Sequence, residues 1–351
     1  MPSSPTNLDG RKVLIVRLSA LGDVIRTMPS VLALMNRFPD AEFSWLVEDS
    51  SAGFLKAVRG PRLVQIERAA LRRGGPAARF KAWQAVKQRI TAEQFDISID
   101  FHGVAKSALF PLLAGIPHRV GYERGGSKEG ARWLINDRLQ LPSPHISRYD
   151  RNLALARAFD PELTPVQPQI ELNETASAKV EAAMPAPALL LFPGTSDHGR
   201  NKRWPAKYWA WLYRNLTRGQ NRPVRFVFGP ADGAYRDQLC EHLGEPPDEL
   251  PPLNLVELGA ALQRAHLLVS CDTGPMHLAS ILGVPIVALM GPSDPVLNQP
   301  QPGNRRMIIP ETPCAPCRNR SCQSLICQDL TTPYQVLQEV RELSAQLEAA
   351  S

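Results

Sequence analysis

Continuous apolar runs alternate with helical spacings along this chain, and polar elbows separate them. Residues 12–17, Lys-Val-Leu-Ile-Val-Arg, carry the unbroken apolar core expected of a central parallel strand. Val24, Met28, Val31, Leu32 and Met35 then recur at helical spacing, and residues 43–47 read as a second strand, which completes a βαβ unit. Further strands are predicted at 96–101 and 119–122, with Lys106 and Ser107 at a helix start. His145 and Arg148 open a helix that carries Asn152, Leu153 and Leu155.

Pro161, Pro165 and Pro168 then break all periodicity over 160–170, as an interdomain connection would. A second alternation follows, with strands at 188–192, 224–230, 267–271 and 284–290 and a helix at 255–263. The last helix, 333–349, shows an apolar stripe of Val336, Leu337, Val340, Leu343 and Leu347. The pattern predicts an α/β chain in three parts. Residues 1–165 form a first Rossmann-like domain, 166–330 a second, and 331–351 a helix that packs back across them.

Ligands of open α/β sheets sit at the carboxyl ends of the strands, so the loops there carry the candidate chemistry. After residues 267–271 comes Asp272-Thr273-Gly274, with Pro275 placed as a first helical residue. The free N–H groups of such a helix start bind anions, and Asp272 and His277 add side chains suited to sugar hydroxyls or phosphate oxygens. After residues 12–17 comes Gly22-Asp23, a carboxylate able to take a proton from an acceptor hydroxyl. Either aspartate reads equally as a helix N-cap. Thr195 and Ser196 leave the 188–192 strand, Lys202 stands before Trp204-Pro205 and a helix, and Asp232 follows the 224–230 strand as a partner for ribose hydroxyls.

Charge sharpens this picture. Forty basic and thirty-four acidic side chains give a net charge of +6 and a pI near 9.1, which suits phosphorylated substrates or an anionic membrane face. The basic residues are scattered and form no nucleic-acid motif. Arg72-Arg73 lies in a basic stretch interrupted by Gly74, Gly75 and Pro76, which reads as a loop able to clamp phosphates or as a solvated helix face. No apolar run reaches the roughly 18 residues of a membrane span, and the N-terminus lacks a signal-peptide core, so a cytoplasmic protein is expected. Cys240 and Cys271 are isolated and read as buried, inert thiols. Cys314, Cys317, Cys322 and Cys327 have spacing compatible with four thiolates around a structural zinc or iron.

Taken together, several stretches resemble the bacterial lipopolysaccharide heptosyltransferases, glycosyltransferase family 9. They are residues 13–29, Gly194 with Lys202-Arg203-Trp204-Pro205, residues 270–277, Gly291-Pro292-Ser293-Asp294-Pro295, and the cysteine cluster. The resemblance covers nearly the whole chain and implies the GT-B fold of two facing Rossmann-like domains. The first would be acceptor-binding and the second nucleotide-sugar-binding. It implies Asp23 as catalytic base, and it implies Thr195, Ser196, Lys202, Asp272, Thr273, Gly274 and His277 as donor contacts. Arg72 and Arg73 would meet the phosphorylated inner core of the acceptor. Where some relatives carry glutamates after the 224–230 strand, this chain has Asp232-Gly233-Ala234-Tyr235.

The implied reaction transfers heptose from ADP-heptose to lipopolysaccharide with inversion, with peripheral contact at the cytoplasmic face of the inner membrane and no nucleic acid. No cofactor is implied, in keeping with the lack of an Asp-x-Asp motif for a magnesium–diphosphate. The residues alone leave two alternatives. One is a GT-B transferase or epimerase with a UDP or GDP donor, and the other is a basic, Cys-metal binding module.

Overall fold

The computed structural model describes residues 7–72, 75–195, 197–218, 222–317 and 319–350. The chain divides into two units, residues 1–169 and 170–351.

The first unit runs β1 (Lys12–Val16), α1 (Leu21–Arg37), β2 (Glu42–Glu48), α2 (Asp49–Leu55), β3 (Arg62–Ile66), α3 (Arg68–Arg72) and α4 (Pro76–Ala92). It continues with β4 (Ile97–Asp100), α5 (Ala105–Leu113), β5 (His118–Tyr122), β6 (Asp137–Leu139) and α6 (Arg148–Ala156). The six strands are parallel in the order β3-β2-β1-β4-β5-β6, the doubly wound arrangement. Val13, Leu14, Ile15 and Val16 are wholly buried, which explains why β1 reads as an uninterrupted apolar run. Each such side chain contributes about 1.5–3 kcal/mol on leaving water. Beside the sheet, Trp83 stacks on Phe110 with ring centroids 4.0 Å apart. Of the basic stretch, the residues on either side of 73–74, which lie outside the described residues, are helical: α3 ends at Arg72, and Pro76 opens α4 at a position where a missing N–H costs nothing.

The second unit runs α7 (Glu174–Ala183), β7 (Leu189–Phe192), a 3-10 turn (Asp197–Lys202), α8 (Ala206–Thr217), β8 (Val224–Phe226) and α9 (Gly233–Leu243). Then come α10 (Leu255–Gln263), β9 (Leu267–Cys271), α11 (Gly274–Ile281), β10 (Ile286–Leu289), β11 (Arg305–Ile308), α12 (Ile326–Asp329) and α13 (Pro333–Ala350). Its five parallel strands take the order β11-β10-β9-β7-β8. β8 stops four residues earlier than its apolar pattern suggests. Beyond it, Phe226 exchanges backbone hydrogen bonds with Asp248 and Leu250, a remnant of one more strand. The core gathers Trp204, Trp209 and Phe226 with the strands, and the Val336–Leu337–Val340–Leu343 stripe of α13 packs into it against α8, β10 and β11.

Candidate functional site

In each sheet the chain reverses its winding between two adjacent strands, and that pair opens a crevice at its carboxyl end. In the second unit the pair is β7 and β9, bonded along Leu189 to Phe192. The apolar strand β9 delivers Asp272 at its end, and α11 begins two residues later with Pro275 in its first turn. The helix is capped at Thr273 without any side-chain hydrogen bond, so Asp272 does not spend its carboxylate on the cap. That carboxylate is buried and meets Lys202 Nζ at 2.6 Å and His277 Nε2 at 3.3 Å. Burial alone would raise the pKa of Asp272. The bond to His277 and the charge of Lys202 outweigh it and hold the group far below the ordinary carboxylate range. Lys202 ends the 3-10 turn that follows β7, and its Nζ also lies 3.4 Å from the Asp272 carbonyl oxygen.

The β7 exit loop is shaped from below by Asp232. This carboxylate accepts the Gly229 N–H at 2.8 Å and binds Arg203 at 3.2 Å, and Arg203 in turn donates to Thr195 Oγ1 at 3.0 Å and Thr195 O at 3.1 Å. A Cβ on Gly194 would stand 1.8 Å from Asp232 Oδ2, so only glycine lets the loop pass. Asp232 is 3 % exposed and turned into this scaffold, which ties the residue expected at the ribose to the loop itself.

In the first unit the crevice opens between β1 and β4. Here too the expected cap is not formed. α1 is capped by Ala20, and Asp23 sits in its first turn with its carboxylate pointed at cations. Arg17, at the exit of β1, pairs with Asp23 Oδ2. Arg26, one turn along α1, reaches Oδ1 at 2.5 Å, and Arg148, the first residue of α6, lies 3.7 Å from the same atom. Packing of α6 on α1 fixes this geometry, because Asn152 Nδ2 donates to Arg26 O and Thr27 Oγ1, both at 3.1 Å. Burial pushes the Asp23 carboxyl up, but Arg17, Arg26 and Arg148 together hold it far below its usual range. His102, after β4, accepts the Leu18 N–H on Nδ1 at 3.3 Å, and burial with the charge of Arg17 lowers its pKa to about 3.

The family model for glycosyltransferase family 9 (heptosyltransferase) matches residues 83–326. The chain belongs to this family. It is 29% identical over 318 residues to lipopolysaccharide heptosyltransferase 1 of Pseudomonas aeruginosa, covering 89% of this chain and 87% of that protein. The crystal structure of a glycosyl transferase of family 9 from Veillonella parvula superposes with a TM-score of 0.81 at 21% identity, over 98% of this chain and 100% of that one. Escherichia coli heptosyltransferase WaaC, solved with ADP, gives 0.72 at 22% identity, over 95% and 99%. Two Rossmann-like parallel sheets in one chain are the fold class anticipated above, α/β of the GT-B type.

Against this family membership, the remaining expectations fall as follows. Arg73 and Ser196 lie outside the described residues, and Arg72 is the last residue of α3. The four cysteines of the cluster lie between 314 and 327. Among the described residues no group of three or more His, Cys, Asp or Glu side chains is placed to hold a metal ion. Cys314 is exposed with its Sγ 3.2 Å from Thr312 Oγ1, Cys317 and Cys322 are half-buried, and Cys327 is buried in α12. Burial raises the Cys327 pKa, with smaller contributions from the other three sulfurs.

The segment braces the Lys202 loop instead. Gln328 donates to Asn201 O at 3.0 Å, Asn201 donates to Asn319 O at 3.2 Å, and Trp204 Nε1 donates to Thr331 O at 2.7 Å. Cys240, expected to be buried, is half-buried, whereas Cys271 is fully buried and its pKa is pushed up to about 12 by burial. Sequence reasoning passed over Arg26 and Gln328 altogether, and gave Arg17, His102, Arg148 and Arg203 no role. The one signal available was Arg17 itself, a charge at the exit of an otherwise wholly apolar strand.

Among the described residues, no helix is long and apolar enough to cross a membrane.

Proposed function

We propose that the protein transfers heptose from ADP-heptose to the inner core of lipopolysaccharide, with inversion at the anomeric carbon. One observation carries this reading. In a chain of the heptosyltransferase family, Lys202, the buried Asp272 with His277, and the amide end of α11 gather at the β7/β9 crevice. The ADP bound by Escherichia coli WaaC supports the nucleotide, and the lipopolysaccharide heptosyltransferase relatives support the acceptor.

As the bond from the anomeric carbon to the diphosphate breaks, its electron pair leaves with ADP. A lysine ammonium and the first-turn N–H groups of a helix neutralise such charge where it builds. Lys202 has three N–H donors, two of which face Asp272, and the third serves a phosphate oxygen. Asp272 and His277 fix the ammonium and take the sugar hydroxyls. Thr273 and Gly274 supply the helix start, Thr195 stands at the β7 exit, and Ser196 is assigned to the donor with it. Asp232 holds this loop through Arg203 and Gly229 and acts on the donor only through them.

In the first unit Asp23 accepts the acceptor's hydroxyl proton while that oxygen forms the new bond, opposite the departing diphosphate. A carboxylate held so far below its usual range is a weak base, so the proton moves late, once the forming bond has made the hydroxyl strongly acidic. Arg72 and Arg73 are assigned to the phosphorylated acceptor, the cytoplasmic face of the inner membrane being where it is met.

Calorimetric titration with ADP, UDP, GDP and CDP tests the donor half. ADP should bind tightest, and Lys202→Ala should weaken it about tenfold, the scale of one charge-assisted hydrogen bond. Preference for UDP or GDP would move the donor, and no binding to any of the four would sink the reading.

A further inference from the structure

At the amino ends of the second unit's strands, opposite the Lys202–Asp272 group, lies a cavity of about 680 Å³. Residues that lead into the strands build its wall: Pro187 before β7, Arg222 before β8, and Arg264 and His266 between α10 and β9. Leu347 and Glu348, near the end of α13, complete it. Strand β9 separates His266 from Asp272, which puts them roughly 20 Å apart at the usual rise of a strand. Open α/β sheets take their substrates at the carboxyl ends, so this cavity is no part of the crevice described above.

Its polar groups are short of partners. His266 Nε2 is buried with no hydrogen-bond partner, although the His266 backbone N–H donates to Ala188 O at 2.9 Å. Native folds leave few buried polar atoms in that condition. Burial, then the charge of Arg222, lowers the His266 pKa, and Glu348 opposes them only weakly. The ring is therefore neutral at pH 7, with a single proton that Nε2 can carry. Arg264 donates its Nε–H to Met184 O at 3.3 Å and, among the described residues, pairs with no carboxylate. Arg222 has one such partner, Glu348 at 3.3 Å, in a pair open to solvent. Two guanidinium groups thus meet one carboxylate, which leaves one positive charge in excess.

We propose that this cavity is a second ligand site, in which Arg222, Arg264 and His266 hold the phosphate group of a small phosphorylated molecule. A carboxylate has two oxygens to offer, whereas a terminal phosphate has three, one for each of these donors. The cavity has the volume of a small-molecule site, larger than a bare phosphate needs, and Pro187 and Leu347 give the body of the ligand an apolar side. The phosphate takes Arg222 in competition with Glu348, the ion pair that ties the end of α13 to the entry of β8.

The full chain should be titrated with inorganic phosphate while the His266 imidazole signals, assigned by their loss in His266→Gln, are followed by NMR. Those signals should shift saturably, and acetate at the same concentrations should leave them in place. Arg264→Gln should weaken phosphate at least fivefold, and unchanged ADP affinity in that variant shows an intact fold. Glu348→Gln, which removes the competing carboxylate, should tighten phosphate about threefold, the scale of an exposed ion pair. Phosphate can also enter the Lys202 crevice, so the His266 response should persist in Lys202→Ala. A response lost in Lys202→Ala, no response in the wild type, or wild-type affinity in Arg264→Gln would overturn the site. Equal shifts with acetate would overturn the assignment to phosphate. Loss of ADP binding by the wild type would touch the donor reading alone.

Discussion

Two aspartates occupy matching places, each after a central strand at the crevice of its own sheet, and the basic side chains around them differ in kind and number. Asp272 meets one lysine and one histidine. Asp23 meets three arginines. Both carboxylates stay charged, but for different ends. The pair at Asp272 is close to balanced and holds a lysine ready for a ligand that brings its own negative charge. The group at Asp23 is overcharged, with rigid guanidinium forks that do not give up their protons, so it keeps a weak base charged and leaves positive charge over. On the proposed reading, one crevice meets the leaving diphosphate and the other the acceptor hydroxyl.

The comparison breaks most readily at Asp23. Asp23→Asn should lower kcat by roughly a thousandfold, within the range of a positioned general base. A rate within a factor of ten of wild type would make the arginine group a binding feature only. Asp272→Asn acts on stability more than Asp23→Asn acts on folding. It removes the buried partner of Lys202 and His277 and should cost about 3–5 kcal/mol in urea unfolding, the scale of breaking a buried ion pair. If the loss is under about 0.5 kcal/mol, the ordinary level of surface substitutions, the pair contributes nothing to the fold.

Gly194→Ala should cost about 1–3 kcal/mol, as forced overpacking does, because its new methyl collides with Asp232. Asp232→Ala in the same chain should recover part of that loss. Unfolding of Gly194→Ala at wild-type urea concentration would show the loop free to shift.

The smallest effect is with pH. Both carboxylates titrate below their usual range, so the stability they contribute is complete above about pH 4 and is lost only as pH falls below it. The gap between wild type and Asp272→Asn should therefore stay constant from pH 8 to pH 5 and narrow below pH 4. A gap that closes between pH 7 and pH 5 would mean Asp272 is not held below its usual range by Lys202 and His277.

What sequence could show follows the range of the forces involved. Strand β9, the Asp272-Thr273-Gly274 elbow and helix α10 lie where their patterns predict, because burial of contiguous residues writes itself into contiguous sequence. Asp23, Lys202 and Asp272 were recognisable as residues, yet both aspartates were equally readable as caps. What decides against capping is the partners: Arg148 comes from a helix 125 positions after Asp23 (148 − 23), and Lys202 from a turn 70 positions before Asp272 (272 − 202). Spacing carries no trace of such meetings. The same limit applies to the cysteine segment, whose intervals suggest a tetrahedral site but say nothing of Gln328 donating to Asn201 O or of Asn201 donating to Asn319 O.

The close passage of Gly194 over Asp232 has a consequence for how the family can vary. The two positions stand 38 residues apart (232 − 194) but share one volume, so a substitution at one constrains the other. A side chain can be added at 194 only in a lineage that has already shortened 232, and the reverse order passes through a poorly folding intermediate. A library randomised at both should return two populations, glycine with aspartate and a larger residue with alanine or glycine, and few sequences between them.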